Sequence, residues 1–116
     1  MGFKKKDQIT EIKITLAYRM HVDDKGEPIR FGFVFRNVRD GEAQEAKVEQ
    51  ALAQKPELEQ FAELLLDIEG FDDFPLTDNT LAAQVREYFS DDDLAYFYKD
   101  ALTAYWGTVY PVRLFR

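Results

Sequence analysis

No cysteine occurs among the 116 residues, which excludes disulfide staples, thiolate nucleophiles and thiolate metal ligands together. Histidine is almost missing as well, since His21 stands alone and one imidazole cannot build a zinc site. None of the patterns GxGxxG, GxxxxGK[ST] or GxSxG is present, so no phosphate cradle or nucleophile elbow is marked. No apolar run approaches the roughly 18 residues needed to cross a bilayer. The 22 acidic residues leave a pair of hydrolytic carboxylates open in principle, yet no spacing singles one out. The chain therefore reads as no enzyme, with no catalytic residue, cofactor or metal.

The start, Met1-Gly2-Phe3-Lys4-Lys5-Lys6, is basic but lacks the apolar segment of a signal peptide. Gly2 would suit myristoylation if Lys6 were Ser or Thr, which it is not. These features predict a soluble, intracellular protein without a membrane partner.

The net charge of −7 is unevenly spread. Residues 1–39 carry nine basic and five acidic side chains, for +4, and residues 40–116 carry six and seventeen, for −11. An acidic chain with a basic end is a poor nucleic-acid binder, because phosphate neutralisation needs a concentrated basic surface. The split fits a solvated helical surface beside a basic sheet. It also fits self-association, with the basic hairpin of one copy meeting the acidic helices of the next.

What is abundant is aromatic: ten Phe and six Tyr. Ile12, Ile14, Leu16, Tyr18, Met20 and Val22 alternate with polar residues, a period of two that predicts a half-buried strand. Ile29, Phe31, Phe33 and Phe35 alternate in the same way, and Asp23-Asp24-Lys25-Gly26-Glu27-Pro28 between them is of hairpin length. Pairing Val22 with Ile29 sets Met20 opposite Phe31, Tyr18 opposite Phe33 and Leu16 opposite Phe35. A lone hairpin is barely stable, so the aromatic face needs a cover. His21 falls on the polar face. Ala17, Gly32 and Val34 make a small apolar spot there, among Arg19, Arg30 and Arg36.

The cover is predicted from the remainder. Glu42 to Gln54 reads as a peripheral helix with only Ala43, Ala46, Val48, Ala51 and Leu52 available to face inward. Pro56 opens a second helix, striped by Leu58, Phe61, Leu65 and Ile68 and stopped by Gly70. Asp72 and Asp73 read as turn acids, because nothing near them supplies further oxygen ligands. Thr77 is the expected N-cap of a helix carrying Leu81, Val85, Tyr88 and Phe89. Ser90 and Asp93 suggest a capping box before a last helix striped by Leu94, Phe97, Tyr98, Ala101, Leu102 and Tyr105, ending at Gly107. The tail Val109-Tyr110-Pro111-Val112-Arg113-Leu114-Phe115-Arg116 is unusually apolar. It either folds back as an edge segment on the hairpin or serves as a sticky peptide for a partner.

The expected fold is α+β: an N-terminal antiparallel β-hairpin packed against a C-terminal bundle of three to four short helices. One domain spans 1–116, with a flexible lead-in at 1–8, the hairpin at 9–36, a helical part at 40–107 and the apolar tail at 108–116.

Three segments carry a resemblance: Leu64-Leu65-Leu66-Asp67-Ile68-Glu69-Gly70-Phe71, Pro75-Leu76-Thr77-Asp78-Asn79-Thr80-Leu81, and Phe97-Tyr98-Lys99-Asp100-Ala101-Leu102-Thr103-Ala104-Tyr105. A helix runs into a Gly-containing bend, a P-hydrophobic-T-x-x-x-L start follows, and an aromatic-to-tyrosine helix closes the set. This order is similar to that of the tail assembly chaperones of long-tailed phages and prophages. The chain departs from them at the bend, which usually carries a Trp and a longer acidic or Gly insert. The resemblance covers less than half of the chain. It implies a non-enzymatic helper in the bacterial host cytoplasm that binds the tape-measure protein and tail-tube subunits during virion morphogenesis, often as a homo-oligomer.

Holding an extended, aggregation-prone partner calls for exposed apolar patches rimmed by charge. The candidate partner-binding residues are Tyr96, Trp106, Val109, Tyr110, Val112, Leu114 and Phe115. Two other functions compete with this one. The acidic half also suits a protein-interaction or regulatory module of a prophage, an inhibitor or DNA mimic, and buried carboxylates would suit a small hydrolase.

Overall fold

The computed structural model describes residues 10–38, 51–72, 74 and 80–109. Three antiparallel strands, β1 (Glu11–Leu16), β2 (Phe31–Arg36) and β3 (Leu65–Glu69), form one sheet in the order β1-β2-β3. Helices α1 (Glu57–Leu64), α2 (Leu81–Tyr88) and α3 (Ala95–Val109) accompany it, with a 3₁₀ turn at Asp92–Leu94 before α3. The fold is α+β, as expected.

β2 lies in the middle because Phe31, Phe33 and Phe35 need apolar neighbours along their whole length. Phe33 and Phe35 retain no solvent exposure at all. Phe61 of α1 stands edge-on to both, at 5.6 and 5.7 Å between centroids. Tyr105 of α3 closes on Phe35 at 5.1 Å, and Phe97 on Phe31 at 4.8 Å. These tilted and edge-to-face contacts are the geometry that ring quadrupoles favour. α3 buries Phe97, Ala101, Leu102, Tyr105 and Val109, a stripe at helical spacing.

The hairpin register differs from the one the alternation suggested. Leu16 pairs with Phe31, Ile14 with Phe33 and Ile12 with Phe35, four residues from the expected alignment. An even offset keeps every side chain on its face, so the apolar pattern alone could not choose between the two. The ladder ends at Leu16 because the chain turns at Arg19 and Met20, where His21 N–H donates to Tyr18 C=O. Met20 is therefore in solvent, and Val22 meets Pro28 in an isolated bridge rather than Ile29.

The helix expected from Pro56 to Gly70 stops at Leu64, and Leu65–Glu69 is the third strand. β2 has a second edge to satisfy, and Leu65 and Ile68 pair there with Phe35 and Phe33. The ladder shifts register between Val34 and Phe35, which makes Leu66 an extra residue. That bulge brings Leu65 and Ile68, three apart, to one face of a strand. Gly70 follows with φ of 95°, and a Cβ there would lie 2.7 Å from Arg30 O.

The helix ends also differ. Thr80, not Thr77, caps α2 by accepting from Ala83 N–H at 3.2 Å. Asp91, not Ser90, caps the 3₁₀ turn through Asp93 N–H, while Ser90 Oγ donates to Glu87 C=O. α3 runs through Gly107 to Val109, because Gly107 does not take the left-handed conformation of a cap. Residues 51–53 are helical, with Leu52 buried and Ala51 exposed. Ala43, Ala46, Val48, Asp73, Thr77, the lead-in at 1–8 and the tail beyond Val109 lie outside the described residues.

Two positions test this packing. Tyr105 Oη donates to Arg36 C=O and accepts from Val38 N–H, each at 2.9 Å. Tyr105→Phe leaves a buried N–H without that acceptor, and should lower unfolding free energy by about 2 kcal/mol in a urea titration. Gly70→Ala meets both an unfavourable φ and a carbonyl, and should cost about 2 kcal/mol or more in the same titration.

Candidate functional site

Between β1 and β2 the chain makes an arm, residues 17–30, which the fold holds at both ends and leaves bare at its tip. Asp23 organises the tip. Its Oδ1 accepts from Lys25 N–H at 2.8 Å and Glu27 N–H at 3.0 Å, and its own N–H donates to Glu27 C=O at 2.8 Å. Gly26, at φ of 79°, closes that turn. His21 C=O accepts from Ile29 N–H at 3.0 Å, which ties the two limbs of the arm together.

The base of the arm is clipped to α3 by two hydroxyls. Tyr18 Oη donates to Asp100 Oδ2 at 2.7 Å, and the Tyr96 hydroxyl is hydrogen-bonded to Nε2 of His21. Tyr18, Phe31, Tyr96 and Phe97 surround the His21 ring at centroid distances of 5.5 to 6.0 Å. Tyr96 and Phe97 stack on it, and Tyr18 and Phe31 meet it edge-on. Burial holds the Tyr18 phenol well above its ordinary range, and the Asp100 carboxylate reinforces this by bond and by charge. Burial also raises Tyr96. Both phenols keep their protons, and Tyr18 remains the donor to Asp100.

Held in this way, the arm directs Met20, at 67% exposure, and Val22, at 48%, into solvent. An open groove of about 560 Å³ beside its base is lined by Thr15, Leu16, Ala17, Glu27, Pro28 and Arg30. Leu66, at 47%, is the remaining large exposed apolar side chain among the described residues and sits on the β3 bulge. No group of three or more His, Asp or Glu able to hold a metal occurs among the described residues. No helix among them is long and apolar enough to cross a membrane.

The candidate partner-binding residues fall in different places. Val109 is 2% exposed and belongs to the core. Trp106 is half-buried, and its indole N–H donates to Gln60 Oε1 at 3.1 Å. Gln60 Nε2 in turn donates to Lys55 C=O at 2.8 Å, so Trp106 ties α3 to the start of α1. Tyr96 is half-buried within the clip. Tyr110, Val112, Leu114 and Phe115 lie outside the described residues.

Tyr18 packs against the core as the alternation expects. Met20, expected on the same face, is exposed, and His21, expected on the polar face, is half-buried among aromatic rings. The available signal was the long acidic connector after a Tyr-x-x-His step, which allows the chain to leave the ladder early. Comparison with protein-family models, with curated proteins and with solved structures returns no match to this chain.

The clip predicts an alkaline effect. A phenol whose native pKa is raised contributes stability in full below its unfolded value of about 10, and loses it as pH climbs beyond that. Tyr18→Phe should cost about 1 kcal/mol near neutral pH. It should also flatten the fall in stability that urea titrations record above about pH 10. Identical alkaline slopes for the two proteins would contradict this assignment.

Proposed function

We propose that this chain acts by binding protein, without chemistry of its own, as a tail assembly chaperone of a long-tailed phage or prophage. Its partners in that reading are the tape-measure protein and tail-tube subunits. The observation that carries it is the exposed pair Met20 and Val22, on an arm fixed by hydrogen bonds and rimmed by Asp23, Asp24, Lys25 and Glu27. Exposed apolar side chains ringed by charge suit weak, repeated contacts with an extended partner. Methionine adapts to irregular apolar surfaces because its chain is unbranched and its sulfur polarizable.

The resemblance noted in the sequence adds to this on other grounds. Phe97, Ala101 and Tyr105 of its closing helix are all buried, so that part of the match concerns packing. The contacts with a partner must come from residues the fold leaves outside.

Co-expression with a tape-measure protein from the same genome tests the reading. The wild-type chain should keep that protein soluble and co-purify with it. Met20→Glu/Val22→Glu should reduce the recovered complex at least tenfold with unchanged circular dichroism, since it places charge on the apolar contact. A chain lacking residues 110–116 is the second arm. Loss of binding there alone would move the contact to the tail, and no binding by the wild-type chain would refute the reading.

A further inference from the structure

Among the described residues β1 pairs with β2 alone and forms one margin of the sheet. Asn37 N–H donates to Thr10 C=O at 3.0 Å, in the same register as the pair Glu11 and Arg36. Hydrogen-bonded and non-hydrogen-bonded pairs alternate along an antiparallel ladder, so Thr10, Ile12, Ile14 and Leu16 turn their backbone groups toward β2. Glu11, Lys13 and Thr15 turn theirs outward, and all three side chains are exposed. A row of outward N–H and C=O groups is a template for another strand.

The side chains indicate which strand fits. Laid antiparallel on its own copy and centred on Lys13, β1 would oppose two ammonium groups. Centred on Ile14, it leaves Lys13 opposite Thr15. Centred on Ile12, it sets Glu11 opposite Lys13 twice, both times in hydrogen-bonded positions on the exposed face. Ile12 then meets Ile12 on the covered face.

We infer that β1 pairs with β1 of a second copy of this chain in the register centred on Ile12, joining two sheets across a two-fold axis. Such a contact is isologous and closes on itself, so it yields a dimer and not a fibre. Lys13 also lies 3.5 Å from Glu69 of its own chain, but both side chains are more than half exposed, at 57% and 56%. That bridge leaves Lys13 within reach of a neighbour. The inference does not depend on the arm, which is a separate surface.

Light scattering across a concentration series tests it, with Glu11→Lys and Lys13→Glu made singly and together. Wild type should dimerise, and each single variant should associate roughly tenfold or more weakly, because both charge pairs become like-charged. Mixing the two single variants should restore association, since every Lys then faces a Glu. The double variant should match wild type, which also controls for any loss of folding in a single variant. A wild-type monomer at all concentrations would overturn the inference. So would single variants that dimerise normally, or a mixture that stays monomeric.

Discussion

Keeping the phenyl row of β2 out of water is the constraint on which the other elements depend. Each Phe moved from water into the core is worth roughly 2–3 kcal/mol. That exceeds the net value of about 1 kcal/mol for a typical hydrogen bond. Phe31, Phe33 and Phe35 therefore determine which segments come to them. α1 supplies Phe61, α3 supplies Phe97 and Tyr105, and the bend after β3 supplies Phe71, 4.8 Å from Phe31. β1 and β3 meet the backbone requirement of the same strand from either side. Gly32 leaves room for the Glu69 side chain on the sheet's outer face, since a Cβ there would stand 3.0 Å from Glu69 Oε2.

The two strands of the hairpin, the presence of helices at α1, α2 and α3, the inward faces of β1 and β2 and the stripe of α3 were legible in the sequence, because each rests on periodicity that burial enforces; β3 was not. The failures share a cause. Leu58, Phe61, Leu65 and Ile68 fit a helical period, and Leu65 and Ile68 fit a bulged strand equally well. Local pattern could not separate the two, and the second edge of β2 did. The hairpin alignment failed because Tyr18 and His21 found partners on α3, 82 and 75 residues away. No window of neighbouring residues carries that information. Cap positions moved by one to three residues because Ser, Thr and Asp crowd both helix starts, and several of them could accept the same N–H.

The same early departure from the ladder produces the surface on which the functional proposal rests. Had β1 continued to Val22, Met20 would have faced Phe31 and the connector would have been a short polar turn. Instead the clip to α3 draws Tyr18 and His21 inward and leaves Met20 and Val22 outward on a fixed base. A contact mounted this way loses less conformational entropy on binding than the same side chains on a free loop. The candidate site named from sequence was placed mainly on the closing helix and tail. Where it can be described, that set supports the fold: Val109 is core, and Trp106 and Tyr96 are bonded to Gln60 and His21.

Amide hydrogen exchange, measured with the protein alone and in complex with the proposed tape-measure partner, tests this account most directly. Amides of residues 17–30 should become protected in the complex, while those of α3 and β2 should already be protected and stay unchanged. Protection confined to residues 110–116 or to β3, with the arm exchanging as in the free protein, would contradict it.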